Sequence, residues 1–125
     1  MSCHKSLQKA RQLAYDRQHG RCHYCGLPVW LRDAESFRRR YGLTPAEANR
    51  LQCTAEHLVA RCDGGRDSTP NIVAACRHCN ATRHRRRVPP DPATYRDHVR
   101  RRLAKGRWHQ PRVLTAIRTA LARRP

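Results

Sequence analysis

A chain of 125 residues with one Phe, one Met and 29% charged residues has room for one compact domain with a thin apolar core, which a metal staple would help to hold. Its 27 Lys+Arg stand against 9 Asp+Glu, a net charge of +18. The basic residues are nearly all Arg, clustered at 38–40, at Arg83 with 85–87, at 100–102, and at Arg123 and Arg124. That field favours a polyanionic partner, DNA or RNA, through counterion release, and the lack of any apolar run near the length of a signal peptide or membrane span predicts a cytoplasmic protein with no membrane partner.

In chain order, Leu7, Ala10 and Ala14 form one stripe of a helix over 5–18, with Gly20 as its stop signal. Cys22-His23-Tyr24-Cys25-Gly26 follows as a tight knuckle. A second helix is predicted over 33–41, ended by Gly42. Thr44-Pro45-Ala46-Glu47 has the form of a capping box with Pro at the first helical position, opening a short helix to about Leu51. The segment 52–60 reads as a strand running into a loop that turns at Gly64-Gly65. Asn71 precedes a second strand over 72–75, and a helix is predicted over 77–87, stopped by Pro89-Pro90. Asp91-Pro92 opens a helix with Tyr95, Val99 and Leu103 four apart. Pro111 opens a last one with Val113, Ile117 and Leu121 in the same rhythm, and both stripes are read as core. The expected division is a principal domain over 1–89, with a helical insert at 28–52, and a basic helical extension over 90–125.

Seven cysteines in a reducing compartment point to metal rather than disulfides. Cys22-x2-Cys25 and Cys76-x2-Cys79 supply four thiolates in two pairs, the donor set of a closed tetrahedral zinc site. The gap from Gly26 to Ala75 is far longer than a zinc ribbon holds, so the ion would clamp the ends of an inserted module. Cys3, Cys53 and Cys62 are read as incidental.

Inside the clamp stand Glu56-His57, Gly64-Gly65, Asn71, and Cys79-Asn80 with His84. The pattern E-H-x6-G-G-x5-N-x4-C-x2-C-N resembles the HNH endonuclease family, in its cysteine-bearing branch with Asn as third signature residue. The resemblance covers about residues 5–87. It implies an α+β fold with a small ββα-metal core, two antiparallel strands and a helix around one divalent cation, here clamped by the four-cysteine zinc site between flanking N- and C-terminal helices. It also implies roles: His57 as general base, Glu56 and Asn80 as metal ligands, Asn71 as the residue steadying the loop that orients the base. His84 matches an extra metal-binding His of one branch. The expected ion is Mg²⁺, with Mn²⁺ or Ni²⁺ as alternatives, and the expected products carry 3′-hydroxyl and 5′-phosphate ends. Three departures are Glu before His57 where Asp is usual, Asn in place of a final His, and the long insert at 28–52.

The residue chemistry agrees with those roles. Neighbours on a strand face opposite ways, so Glu56 and His57 divide naturally into ligand and base. Asn80 and His84, four apart, share a helix face. His is the side chain poised to take a proton near neutral pH. Arg83, Arg85, Arg86, Arg87, Arg100 and Arg101 are expected to grip the nucleic-acid backbone, with Trp108 as a wedge or a core residue. Two other readings remain: a non-catalytic zinc-stapled nucleic-acid-binding module, and an RNA-cleaving nuclease. A monomer or weak dimer is expected; one active site per chain cuts one strand, so a double-strand break would need a dimer or two events.

Overall fold

A computed structural model describes residues 3–123, with side chains from residue 5 onward; the Cys3 thiol and Arg124 lie outside that description. Six helices and two strands follow in the order α1 (Cys3–Arg17), α2 (Ala34–Tyr41), α3 (Pro45–Asn49), β1 (Cys53–His57), β2 (Ile72–Cys76), α4 (Arg77–Arg83), α5 (Pro92–Ala104) and α6 (Pro111–Ala122). The fold is mixed α+β: two antiparallel strands followed by a helix, with flanking helices on either side in sequence.

The helix boundaries come from local chemistry. Asp33 caps α2 by accepting from Ser36 N–H, and Gly42 ends it at φ +65°, where a side chain would be strained. Thr44 and Glu47 form a full capping box at α3, and Asp91 caps α5 through Thr94 N–H. Helix α4 is shorter than the predicted 77–87. It ends at Arg83 because that side chain turns inward to Pro90 O (3.0 Å), and the chain must double back to bring the carbonyl there.

The sheet has β1 and β2 in antiparallel register, Cys53 opposite Cys76 and His57 opposite Ile72. Helices α1 and α4 both pack on it. The outer edge of β2 is occupied throughout. Ile72 O accepts from Arg17, both peptide groups of Ala74 are held by the Gln18 amide, Ala74 O also takes His23 N–H, and Cys76 N–H points at Cys22 Sγ. β1 is buttressed at its start, where Cys53 N–H donates to Trp30 O (2.7 Å).

A single buried cluster runs from Ala14 through the cysteines to Phe37, Tyr41, Leu43 and Leu51 of the insert, and on to Tyr95, Val99, Trp108, Val113 and Ile117. The C-terminal helices therefore share the core of the sheet and cysteines. Trp108 belongs to that core, being 9% exposed. Among the described residues, no helix is long and apolar enough to cross a membrane.

Candidate active site and cysteine cluster

The two cysteine pairs meet where the knuckle abuts the β2–α4 junction. Their four sulfurs lie within 4.8 Å of one another, all buried. A tetrahedral ion with Zn–S bonds of about 2.3 Å spaces its sulfurs by about 3.8 Å, and Cys25 Sγ and Cys76 Sγ are 4.0 Å apart. The N–H groups of Tyr24, Cys25 and Cys76 point at Cys22 Sγ (3.4, 3.5 and 3.2 Å), Cys79 N–H at Cys76 Sγ (3.3 Å), and Trp108 Nε1–H at Cys79 Sγ (3.2 Å). Donors aimed at sulfur favour thiolates. At Cys22, burial opposes ionisation, but hydrogen bonds from the other three cysteines outweigh it and hold the thiol well below its usual range. The set fits a structural zinc ion. Cys53 stands apart, its thiol pushed up to about 12 by burial, and Cys62 is exposed.

Two steps along β1 from Thr54, on the face toward α4, stands Glu56, only 1% exposed. Its Oε2 accepts from Tyr24 Oη–H (3.0 Å) and Arg83 Nη1 (3.1 Å), and its Oε1 from His84 Nε2 (2.8 Å). Burial and the adjacent carboxylate push the Tyr24 phenol well above its ordinary range, so it stays a donor. Since Tyr24 lies between Cys22 and Cys25, the cysteine knuckle itself fixes one oxygen of Glu56. Arg83 is 4% exposed and also donates to His57 O (3.1 Å) and Leu58 O (3.3 Å). Expected on the phosphate-facing surface, it is instead an internal tie between α4, the end of β1 and Pro90. A buried carboxylate needs such a counter-charge.

Asn80 and His84 lie one turn apart, His84 N–H donating to Asn80 O (3.2 Å). Asn80 Nδ2 donates to Thr54 Oγ1 (3.0 Å), which orients the amide and leaves Oδ1 to accept. Octahedral ligands at about 2.1 Å from an ion stand about 3 Å from each other. Glu56 Oε1 and His84 Nε2 stand at close to that spacing, 2.8 Å apart, and would face one ion only after the proton His84 now donates is lost. Glu56 and His84 therefore meet beside α4, with Asn80 one turn before His84.

His57 faces away from Glu56, its side chain 14% exposed, and Nε2 is 2.7 Å from Asp67 Oδ1. A carboxylate only accepts, so Nε2 carries the ring proton. The 3.3 Å approach of Arg61 Nε to the same nitrogen is then a close contact, with Arg61 donating to Asp67 Oδ1 (3.1 Å) and Oδ2 (3.0 Å). In the neutral form of the ring the lone pair is on Nδ1. The hydrogen bond with His57 holds the Asp67 carboxyl below its usual range, with help from Arg61, against the opposing effect of burial. Asp67 was not singled out from the sequence: Asp63 and Asp67 both stand in this loop and nothing in the pattern separates them.

The loop from 58 to 71 is closed by Asn71. Its Oδ1 accepts from Val59 N–H (2.8 Å) and its Nδ2 donates to Val59 O (3.0 Å) and Arg66 O (2.9 Å). Gly64 turns the chain at φ +88°, and at Gly65 an added Cβ would lie 1.7 Å from Val59 O. The paired glycines serve two needs, an unusual φ and a close backbone approach.

Of the arginines expected to meet nucleic acid, Arg85, Arg86, Arg87, Arg100 and Arg101 are exposed, and Arg100 also donates from Nε to Tyr24 O. No curated protein and no solved structure matches the chain. The family profile described as HNH endonuclease matches residues 22–86, just over half of the chain and the whole span from the first knuckle cysteine past His84. With its paired strands, following helix and buried four-cysteine cluster, the chain belongs to the HNH endonuclease family, which implies a nuclease acting on nucleic acid.

Proposed function

We propose that the protein hydrolyses DNA phosphodiester bonds, with His57 as general base and one divalent cation at Glu56, Asn80 and His84. The observation that carries this reading is the arrangement at the end of β1. A buried carboxylate oxygen and an imidazole nitrogen stand 2.8 Å apart on one side, and a histidine with a fixed ring proton stands on the other. His57 Nδ1 takes a proton from the water that attacks phosphorus, while Asp67 holds Nε2–H and stabilises the imidazolium that forms. The bond to the 3′-oxygen breaks, leaving 3′-hydroxyl and 5′-phosphate ends. A divalent cation, when bound, supplies charge neutralisation at the phosphate and the leaving oxygen. Mg²⁺ is the expected ion, and ligation by His84 would also suit Mn²⁺ or Ni²⁺. Asn71 steadies the loop that presents Asp67.

In this reading zinc occupies the four-cysteine cluster and holds the first turn of α4, where Cys79 is bonded to Asn80. Residues 1–89 carry the chemistry. Residues 90–125 cover the cluster and, with Arg85, Arg86, Arg87, Arg100 and Arg101, hold the backbone of the substrate. The protein works as a monomer or weak dimer in the cytoplasm.

The test is cleavage of supercoiled plasmid and of a structured RNA with Mg²⁺, Mn²⁺, Ni²⁺ or EDTA, for wild type beside His57→Ala of unchanged zinc content. Metal-dependent nicking of the plasmid, abolished in His57→Ala, is expected. DNA binding without cleavage under every metal would overturn the enzyme, and cutting confined to RNA would overturn the substrate.

A further inference from the structure

Tyr24 touches both the cysteine cluster and the carboxylate of the proposed cation site. It sits between Cys22 and Cys25, and its N–H points at Cys22 Sγ (3.4 Å). Its hydroxyl donates to Glu56 Oε2 (3.0 Å). The ring between these two contacts is fully buried. It packs edge-on against Tyr95, with centroids 4.8 Å apart and planes at 81°, and Tyr24 O accepts from Arg100 Nε. The hydroxyl therefore cannot shift unless the knuckle and α5 shift with it.

A glutamate side chain turns about several bonds, so the oxygens at its end are placed only if something else holds them. Oε2 of Glu56 takes two donors, Tyr24 Oη and Arg83 Nη1 (3.1 Å), whereas Oε1 meets only His84 Nε2 (2.8 Å). Arg83 is shared among acceptors. It also serves His57 O, Leu58 O and Pro90 O, so its place is set by the tie between α4 and the end of β1. The Tyr24 hydroxyl has a single proton and directs it at Glu56 alone.

We infer that Tyr24 is a positioning residue of the divalent-cation site: it fixes Oε2 of Glu56, presents Oε1 to the ion, and so links that site to the zinc cluster. This rests on the cation reading above and goes beyond it by joining the two metal centres through one side chain. Groups hydrogen-bonded to a metal ligand orient it, and their loss lowers metal affinity by about ten- to a hundredfold. The link is reciprocal, because a knuckle that holds Glu56 for the ion is itself steadied when the ion binds.

The test uses the zinc-loaded full chain, with Mn²⁺ binding read from the electron paramagnetic resonance of the free ion. Wild type is compared with Tyr24→Phe, Glu56→Gln and Tyr95→Phe. The last removes another buried hydroxyl, one that donates to Cys79 O (2.6 Å) and not to Glu56. Tyr24→Phe is expected to weaken Mn²⁺ binding about ten- to a hundredfold at unchanged zinc content, Glu56→Gln to abolish it, and Tyr95→Phe to stay within about twofold of wild type. If Tyr24→Phe binds like wild type while Glu56→Gln does not, the inference falls and the cation site stands. Equal weakening in Tyr95→Phe would also overturn it, since loosened packing would then be the cause. Glu56→Gln binding like wild type would remove the cation site and the inference together. If no metal supports cleavage while the binding pattern is as expected, the proposed activity falls and the inference stands. A second measurement needs no substitution: wild type carrying ¹³C at Glu Cδ and Tyr Cζ is titrated with Mg²⁺. The Glu56 and Tyr24 signals are expected to move with one midpoint. A Tyr24 signal unmoved at saturation would overturn the inference, even where Tyr24→Phe fails to hold zinc.

Discussion

At His57 the decisive detail is which nitrogen holds the proton. A 2.7 Å contact from Nε2 to a carboxylate fixes that nitrogen as donor, so in the neutral ring the atom left to take a proton is Nδ1. In the proposed mechanism Asp67 is a positioning residue, and its removal should act on turnover rather than on substrate affinity. For Asp67→Asn the expected outcome is a fall in kcat of roughly ten- to a hundredfold, part of the ~10²–10⁴ a positioned base supplies, with KM within about twofold of wild type. Steady-state cleavage measures both, and ¹⁵N shifts of the His57 ring would show Nε2–H no longer dominant. An unchanged kcat would remove Asp67 from the mechanism. Stability should fall only slightly, since Arg61 is exposed even though Asp67 is mostly covered.

At the scale of elements, the strand–loop–strand unit explains how the sequence pattern encodes geometry. The paired glycines, Asn71 and the E-H step were legible because each is a backbone or register requirement, and such requirements repeat as fixed spacings. Arg83 was not legible. A guanidinium flanked by four more basic positions on a short segment reads as surface, and only the return of the chain at Pro90 turns it inward. Tyr24 escaped for the same reason: its partner, Glu56, is 32 residues away. The end of α4 was placed too far along because a tertiary bond, rather than a helix-stop residue, terminates it. Gly65→Ala tests the loop directly. The overlap with Val59 O is backbone against Cβ and cannot be relieved by a rotamer, so the loop must shift at a cost on the order of 1–3 kcal/mol. Cleavage should fall at least tenfold while zinc content stays at one ion per chain. A variant that cuts like wild type would show that loop closure does not hold Asp67 and His57 together.

For the whole molecule, the C-terminal helices are structural as well as basic. Tyr95 Oη–H donates to Cys79 O (2.6 Å), Trp108 covers Cys79 Sγ, and Val99, Val113, Leu114 and Ile117 are buried beside them. Burying a large apolar side chain is worth about 1.5–3 kcal/mol. Six of them together rival the roughly 5–15 kcal/mol that holds a domain folded. A chain ending at Pro89 is therefore expected to lose cooperative melting and to release zinc to a chelator that leaves the full chain intact. Circular dichroism with a colorimetric zinc assay measures both. A truncated chain that melts sharply with its zinc would show that residues 90–125 only grip the substrate.

The occupied edge of β2 has one more consequence. A two-stranded sheet ordinarily offers a free ladder on which another chain can lay a strand, the first step toward fibrous association. Here the amide of Gln18 occupies both peptide groups of Ala74 in the manner of a neighbouring strand. Arg17, His23 and Cys22 take the remaining outward-facing groups. Helix α1 and the knuckle therefore act as a terminator for sheet growth on that side.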